Sequence, residues 1–132
     1  MLHHAAIMVS DLERSVAFYG DLLGLRETTR TTLDEAGLEL VFLTAGVRHG
    51  DLVLARRTDG QAPPETRREL FHLAFELPRD RPFRVFAASL AADGIPFHGP
   101  VEHEVHADGS GVRDALYLHD PDGHLLEITQ DR

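Results

Sequence analysis

The strongest constraint on this 132-residue chain is that it repeats itself. A shift of 68 residues lays His4 on His72, Ala6 on Ala74 and Phe18 on Phe86. A fixed internal period is the mark of one supersecondary unit used twice, each copy too small to bury its own apolar face well. The chain is therefore expected to fold as two similar modules.

The pattern within each half identifies the unit. Leu2 to Val9 is apolar and partly β-branched, and it leads into Ser10-Asp11-Leu12-Glu13, the Ser-x-x-Glu spacing of a helix capping box. Leu12, Val16, Tyr19 and Leu23 then recur at near-helical spacing as far as Gly24, a residue suited to a left-handed helix cap. Strand-like stretches follow at Leu25 to Thr32, Leu38 to Thr44 and Asp51 to Arg56, with turn residues at Asp34 to Gly37 and Ala45 to Gly50. The first half reads βαβββ. A polar stretch containing Pro63-Pro64 reads as a connector.

The second half restarts with a strand over Leu70 to Leu77 and a helix over Pro82 to Asp93 that ends at Gly94. A sixth strand is expected at Ile95 to His98, and a surface loop at Pro100 to Val112, around His103 and His106. Asp114 to His119 and His124 to Gln130 form a hairpin across Asp120-Pro121-Asp122-Gly123. This half also reads βαβββ. The expected architecture is α+β in a single domain over 1–132, with a first module at 1–56, a connector at 57–69 and a second module at 70–132. The closing hairpins align Gly50 with Gly123, Leu52 with Leu125 and Leu54 with Glu127, which makes Leu54 the first-module counterpart of Glu127.

Thirteen Lys and Arg against twenty-two Asp and Glu leave a net charge of −9, a field that repels nucleic acid and anionic membranes. A small-molecule partner is the better expectation. No apolar run approaches the roughly 20 residues that span a bilayer, and Met1-Leu2-His3-His4 is no secretory start, so a cytoplasmic location is expected. The absence of cysteine excludes thiolate nucleophiles and Cys-ligated metal, which leaves any metal to His, Asp or Glu.

Strand alternation puts His72 with Leu70, Ala74 and Glu76 on one face, opposite Phe71, Leu73, Phe75 and Leu77. Glu127 interrupts the otherwise apolar run Leu125-Leu126-Glu127-Ile128, where an ionised carboxylate is costly unless it is paired or bound to a cation. His4 is the repeat equivalent of His72. Two imidazoles and one carboxylate make a facial ligand set with open positions, which suits Fe(II) and, by ligand type, Mn(II), Co(II), Ni(II) or Zn(II). The plainer reading is that a histidine in a strand is a hydrogen-bonded core or edge residue. On their neighbours and strand phase, His3, His49, His98, His103, His106, His119 and His124 read as loop or solvent-facing.

Three segments carry a resemblance: His4-Ala-Ala-Ile-Met-Val-Ser-Asp-Leu-Glu-Arg-Ser-Val-Ala-Phe-Tyr19, Phe71-His-Leu-Ala-Phe-Glu-Leu77 and Leu116-Tyr-Leu-His-Asp-Pro-Asp-Gly-His-Leu-Leu-Glu-Ile128. In these the sequence resembles, over essentially its whole length, the vicinal oxygen chelate superfamily of glyoxalases, bleomycin-resistance proteins and extradiol dioxygenases. The resemblance implies two βαβββ modules forming a cupped mixed sheet around a divalent metal, which a substrate chelates through adjacent oxygens. The family's ligand positions fall on His4, His72 and Glu127.

A shared fold does not name the reaction. Glyoxalase-like members take a fourth ligand at the first-module position equivalent to Glu127, and Leu54 cannot coordinate there, which disfavours a glyoxalase-like lyase or isomerase. The remaining set resembles that of extradiol dioxygenases, with Fe(II) favoured, and of fosfomycin-modifying thiol transferases. For ring cleavage, Tyr117 stands ten residues before Glu127, where the resemblance implies a tyrosine that hydrogen-bonds the bound diol; its alternative is an aromatic strand residue. Val47-Arg-His-Gly-Asp-Leu-Val-Leu54 resembles the paired-His stretch of small catechol dioxygenases, except that Gly50 replaces the acid/base histidine. That duty is left to His49, or to His106. A thiol transferase would need a cationic cradle from Arg56, Arg57 or Arg113. A non-catalytic module that binds a cationic drug is the alternative of another class, and the acidic balance suits it. The resemblance also implies a homodimer, with each site built within one chain or shared between two.

Overall fold

The computed structural model describes residues 3–46, 51–61, 72–105 and 110–132. The chain divides into two compact units, Met1–Arg67 and Arg68–Arg132. In the first, β1 (Ala5–Met8), α1 (Leu12–Leu23), β2 (Arg26–Leu33), β3 (Leu38–Thr44) and β4 (Leu52–Arg57) build a four-stranded sheet in the order β1-β4-β3-β2. β1 runs parallel to β4 and the other pairs are antiparallel. The second unit repeats this with β5 (Leu73–Glu76), α2 (Phe83–Ala92), β6 (His98–Glu104), β7 (Val112–His119) and β8 (Leu125–Asp131), in the order β5-β8-β7-β6. Again the first strand is parallel to the last and the rest are antiparallel. The fold is thus α+β, two βαβββ modules of mixed sheet, as the repeat requires.

Helix α1 begins one residue later than a capping box at Ser10 would have it. Asp11 is the N-cap and its carboxylate accepts from the Arg14 backbone N–H at 2.9 Å, while Ser10 Oγ accepts from Arg14 Nη2 at 2.7 Å. Glu13 does not reach back to the cap because its carboxylate is held by Arg30. The helix ends at Gly24, with φ of 70°, as expected.

Each helix packs on one face of its own sheet. In the first unit that face carries Ile7, Val41, Leu43, Leu52 and Leu54, all nearly fully buried, with Leu12, Tyr19 and Leu22 from α1. In the second it carries Leu116, Leu118, Leu126 and Ile128, with Phe83, Phe86 and Leu90 from α2. Gln130, in phase with Leu126 and Ile128, marks the helix side. Its Oε1 accepts from the Phe83 N–H at 3.0 Å, and its Nε2 donates to the carbonyls of Pro78 at 2.9 Å and Arg81 at 3.2 Å. It supplies the cap that Pro82, at the N-cap position, cannot.

Two expectations need correction. The sixth strand lies at His98–Glu104 rather than Ile95 to His98, and takes up part of the segment expected as a loop. Gly99 and Pro100 form an irregularity between His98 and Val101 on an edge strand, where a missing N–H donor is tolerated. Gly99 is required there: its φ is 120°, and a Cβ would sit 3.0 Å from the Ala115 carbonyl oxygen. The second correction concerns the repeat register. Ala6 pairs with Val53, and its counterpart Ala74 pairs with Glu127, so the first-module equivalent of Glu127 is Val53. Leu54 belongs to the helix face, because a slip of one residue moves a strand side chain to the other side of the sheet. Val53 cannot coordinate a metal either, so the objection to a four-ligand set stands.

Candidate functional site

Alternation along β8 decides which chemistry the second sheet displays. With Leu126, Ile128 and Gln130 turned to α2, Glu127 and Thr129 lie on the opposite face. The register adds Tyr117, directly across from Glu127 on β7, and Ala74 on β5. His72 precedes β5 by one residue, and its Nε2 lies 2.9 Å from Glu127 Oε2. The Glu127 side chain is only 12% exposed, so this is a carboxylate largely withdrawn from water. Two of the three expected ligands are thereby brought into contact.

Tyr117 stands between two imidazoles, edge to face with both: its ring centroid is 6.1 Å from that of His72 and 6.5 Å from that of His103. Burial pushes its phenol pKa above the ordinary value, and the charge on Glu127 and a hydrogen bond to that carboxylate push the same way. A hydrogen bond that raises a phenol's pKa is one in which the phenol donates. The His103 Nε2 and the Tyr117 hydroxyl lie 3.0 Å apart, a hydrogen bond whose direction follows the imidazole tautomer. Two polar contacts, His103 with Tyr117 and His72 with Glu127, thus sit side by side, with Tyr117 directly across the strand pair from Glu127.

His103 was expected in a solvent-facing loop, and the structure corrects this. It is exposed, but it lies on β6 in phase with Val101, across from Arg113. The signal that could have found it is the alternation Val101-Glu102-His103, masked by the Gly-Pro pair before it. His49 and His106, the two residues expected to move a proton, lie outside the described residues. His4 is described in the first unit, exposed and just ahead of β1, with its Nδ1 2.8 Å from His3 Nδ1. Of the arginines that would cradle an anion, Arg56 donates to Glu39, Arg57 to Asp59 and Arg113 to Asp131.

Among the described residues, no group of three or more His, Asp or Glu side chains gathers to hold a metal ion. The His72 and Glu127 pair nevertheless fits one. Their facing atoms attract each other only while a proton lies between them, and a divalent cation can replace that proton, since imidazole nitrogen and carboxylate oxygen are both donors to first-row metals. The 2.9 Å separation also matches two neighbouring donors on one ion with bonds of about 2.1 Å.

A model of the Glyoxalase/Bleomycin resistance protein/Dioxygenase superfamily matches residues 1–128. The catechol-2,3-dioxygenase of Bacillus subtilis (strain 168) is 31% identical over 130 residues, 98% of this chain and 41% of that protein. The mitochondrial methylmalonyl-CoA epimerase of Homo sapiens is 32% identical over 94 residues, 71% of this chain and 42% of that protein. The chain spans about two fifths of the length of these two relatives. Among solved structures, the glyoxalase I of Leishmania major superposes with a TM-score of 0.75 at 22% identity, over 98% of this chain and 86% of that one. The fosfomycin resistance protein FosX of Listeria monocytogenes, complexed with Mn(II) and sulfate, superposes with a TM-score of 0.66 at 16% identity, over 98% and 91%. At these identities the two structures speak for the fold alone.

Proposed function

Because the chain belongs to the glyoxalase, bleomycin-resistance and dioxygenase superfamily, we propose that it is a metal-dependent enzyme of the extradiol ring-cleaving kind, acting on a small catechol-type diol. The observation that carries this reading is the contact of His72 with Glu127 at 2.9 Å, with the Tyr117 ring packed against His72. The name of the B. subtilis relative supports the choice of substrate class. His72 and Glu127, with His4 from the same chain or from a second copy in a homodimer, would hold the metal. Fe(II) is preferred, and Mn(II), Co(II), Ni(II) and Zn(II) share the donor types. Iron bound there would supply the redox chemistry that joins a diol to dioxygen.

The rest falls to side chains. Tyr117, a phenol protonated at neutral pH, would turn its single O–H to a substrate oxygen once Glu127 is committed to the metal, and so serve as a hydrogen-bond donor and not as a base. His103 anchors the phenol oxygen and is itself open to solvent. Beside His49, it is our second candidate for exchanging a proton between Tyr117 and water. Arg56, Arg57 and Arg113, the arginines named for an anion cradle, are each paired with a carboxylate, which weighs against a fosfomycin-type thiol transferase.

The test is anaerobic reconstitution with Fe(II), followed by oxygen-uptake measurements on catechol and substituted catechols. Uptake with a ring-opened product, lost in Glu127→Ala, is expected. Metal-loaded protein that consumes no oxygen with any diol would overturn the assignment. One observation favours a second reading, the identity to a CoA-ester epimerase; epimerisation needs no dioxygen, so the same electrode separates the two. Metal-free protein that binds a cationic glycopeptide would instead make it a drug-binding module.

A further inference from the structure

The two units hold their candidate ligands by different means. His72 is held inside its own unit, by Glu127 at its Nε2 and by a T-shaped contact with the Tyr117 ring. His4 is exposed and precedes β1, whose first ladder contact is the Ala5 N–H to the Asp51 carbonyl at 3.1 Å, so the sheet's hydrogen bonds do not orient its ring. Among the described residues, what it touches is its neighbour in sequence. The Nδ1 atoms of His3 and His4 are 2.8 Å apart, and the rings meet edge to face, with centroids at 5.1 Å and planes at 83°. Adjacent residues in a strand point to opposite faces, so this convergence is not something strand geometry imposes.

Two ring nitrogens at that distance attract only when one carries hydrogen and the other a lone pair. If His4 accepts, its own hydrogen sits on Nε2 and that atom cannot bind a cation. If His4 donates, Nε2 is left with its lone pair. We infer that His3 is a positioning residue for the metal ligand His4: His3 Nδ1 accepts the His4 Nδ1–H, fixing the tautomer in which His4 Nε2 is the coordinating atom. This rests on the reading of His4 as a ligand. Partners of this kind orient the ring and raise the basicity of the coordinating nitrogen, and their loss typically costs roughly 10- to 100-fold in metal affinity.

The experiment uses the full chain and Co(II) as the probe, with affinity read by chelator competition and the site by the visible spectrum of the bound ion. His3→Phe keeps an aromatic edge and removes the acceptor, and His3→Asn returns an acceptor oxygen in place of Nδ1. Weakening of Co(II) binding by roughly 10- to 100-fold in His3→Phe, recovered to within a few-fold in His3→Asn, is expected, with the thermal midpoint of the metal-free protein unchanged. Nitrogen-15 imidazole spectra of the metal-free chain should show the Nδ1–H form of His4 depleted in His3→Phe and restored in His3→Asn. Wild-type affinity in His3→Phe overturns the inference, and so does a loss that His3→Asn fails to recover. His4→Ala separates the two levels. If it abolishes Co(II) binding while His3→Phe does not weaken it, only the role of His3 falls; if it leaves binding intact, the metal centre falls with it.

Discussion

Tyr117 is where the chemistry of the second unit can be read one group at a time. Its phenol is held above the ordinary value of 10.0 by burial first and by Glu127 second. Tyrosinate absorbance is therefore expected to develop above pH 10, and Glu127→Gln should bring the transition back toward 10 without restoring it fully, because the burial remains. The sign for stability follows from linkage. A pKa raised on folding means that the folded chain holds its proton longer than the unfolded one, so the contribution is complete below about pH 10 and fades as pH climbs toward the folded value. Urea unfolding across that range should show the decline in the wild type and a smaller one in Glu127→Gln. Removing the hydroxyl alone tests catalysis. Tyr117→Phe should bind Fe(II) as the wild type does and lose about 100- to 1000-fold in oxygen uptake, the scale for deleting a preorganised donor. An equal loss of metal would instead make Tyr117 part of the binding site.

Among the elements, α2 and β6 depend on contacts from outside themselves. The first N–H of α2 is satisfied by Gln130 on β8, since Pro82 has no side chain to cap it. Gln130→Ala should destabilise the fold by about 1 kcal/mol, the usual cost of a lost cap, as measured by urea denaturation. β6 depends on a glycine. At φ of 120° and with a prospective Cβ 3.0 Å from the Ala115 carbonyl, Gly99→Ala should cost about 1–3 kcal/mol. Because β6 carries His103, the same variant should also lower oxygen uptake. If it unfolds at the wild-type urea concentration, the close approach is not a real constraint. By contrast, β3 and α1 owe their bounds to local chemistry: an apolar strand run between turns, and a helix stopped by Gly24.

At the scale of the whole molecule, metal binding should appear as stability. A divalent ion that binds the folded chain alone, supplied at about 100 times its Kd, adds about 2.7 kcal/mol; the gain should vanish in His72→Ala, and sedimentation should show a species of two chains. The sequence by itself determined the twofold βαβββ plan, because periodic apolar residues and a 68-residue repeat are local or pairwise properties that survive without coordinates. It also marked Glu127, since a carboxylate in an apolar strand has to be answered by a partner, and His72 through the repeat, whereas Tyr117 came from the family resemblance. Only the tertiary structure decided the strand register, which moved the counterpart of Glu127 from Leu54 to Val53. It alone put His103 against Tyr117 across a strand pair, 14 residues apart in the chain. The physical reason is that alternation fixes which residues share a face, whereas hydrogen bonding between strands fixes which of them meet.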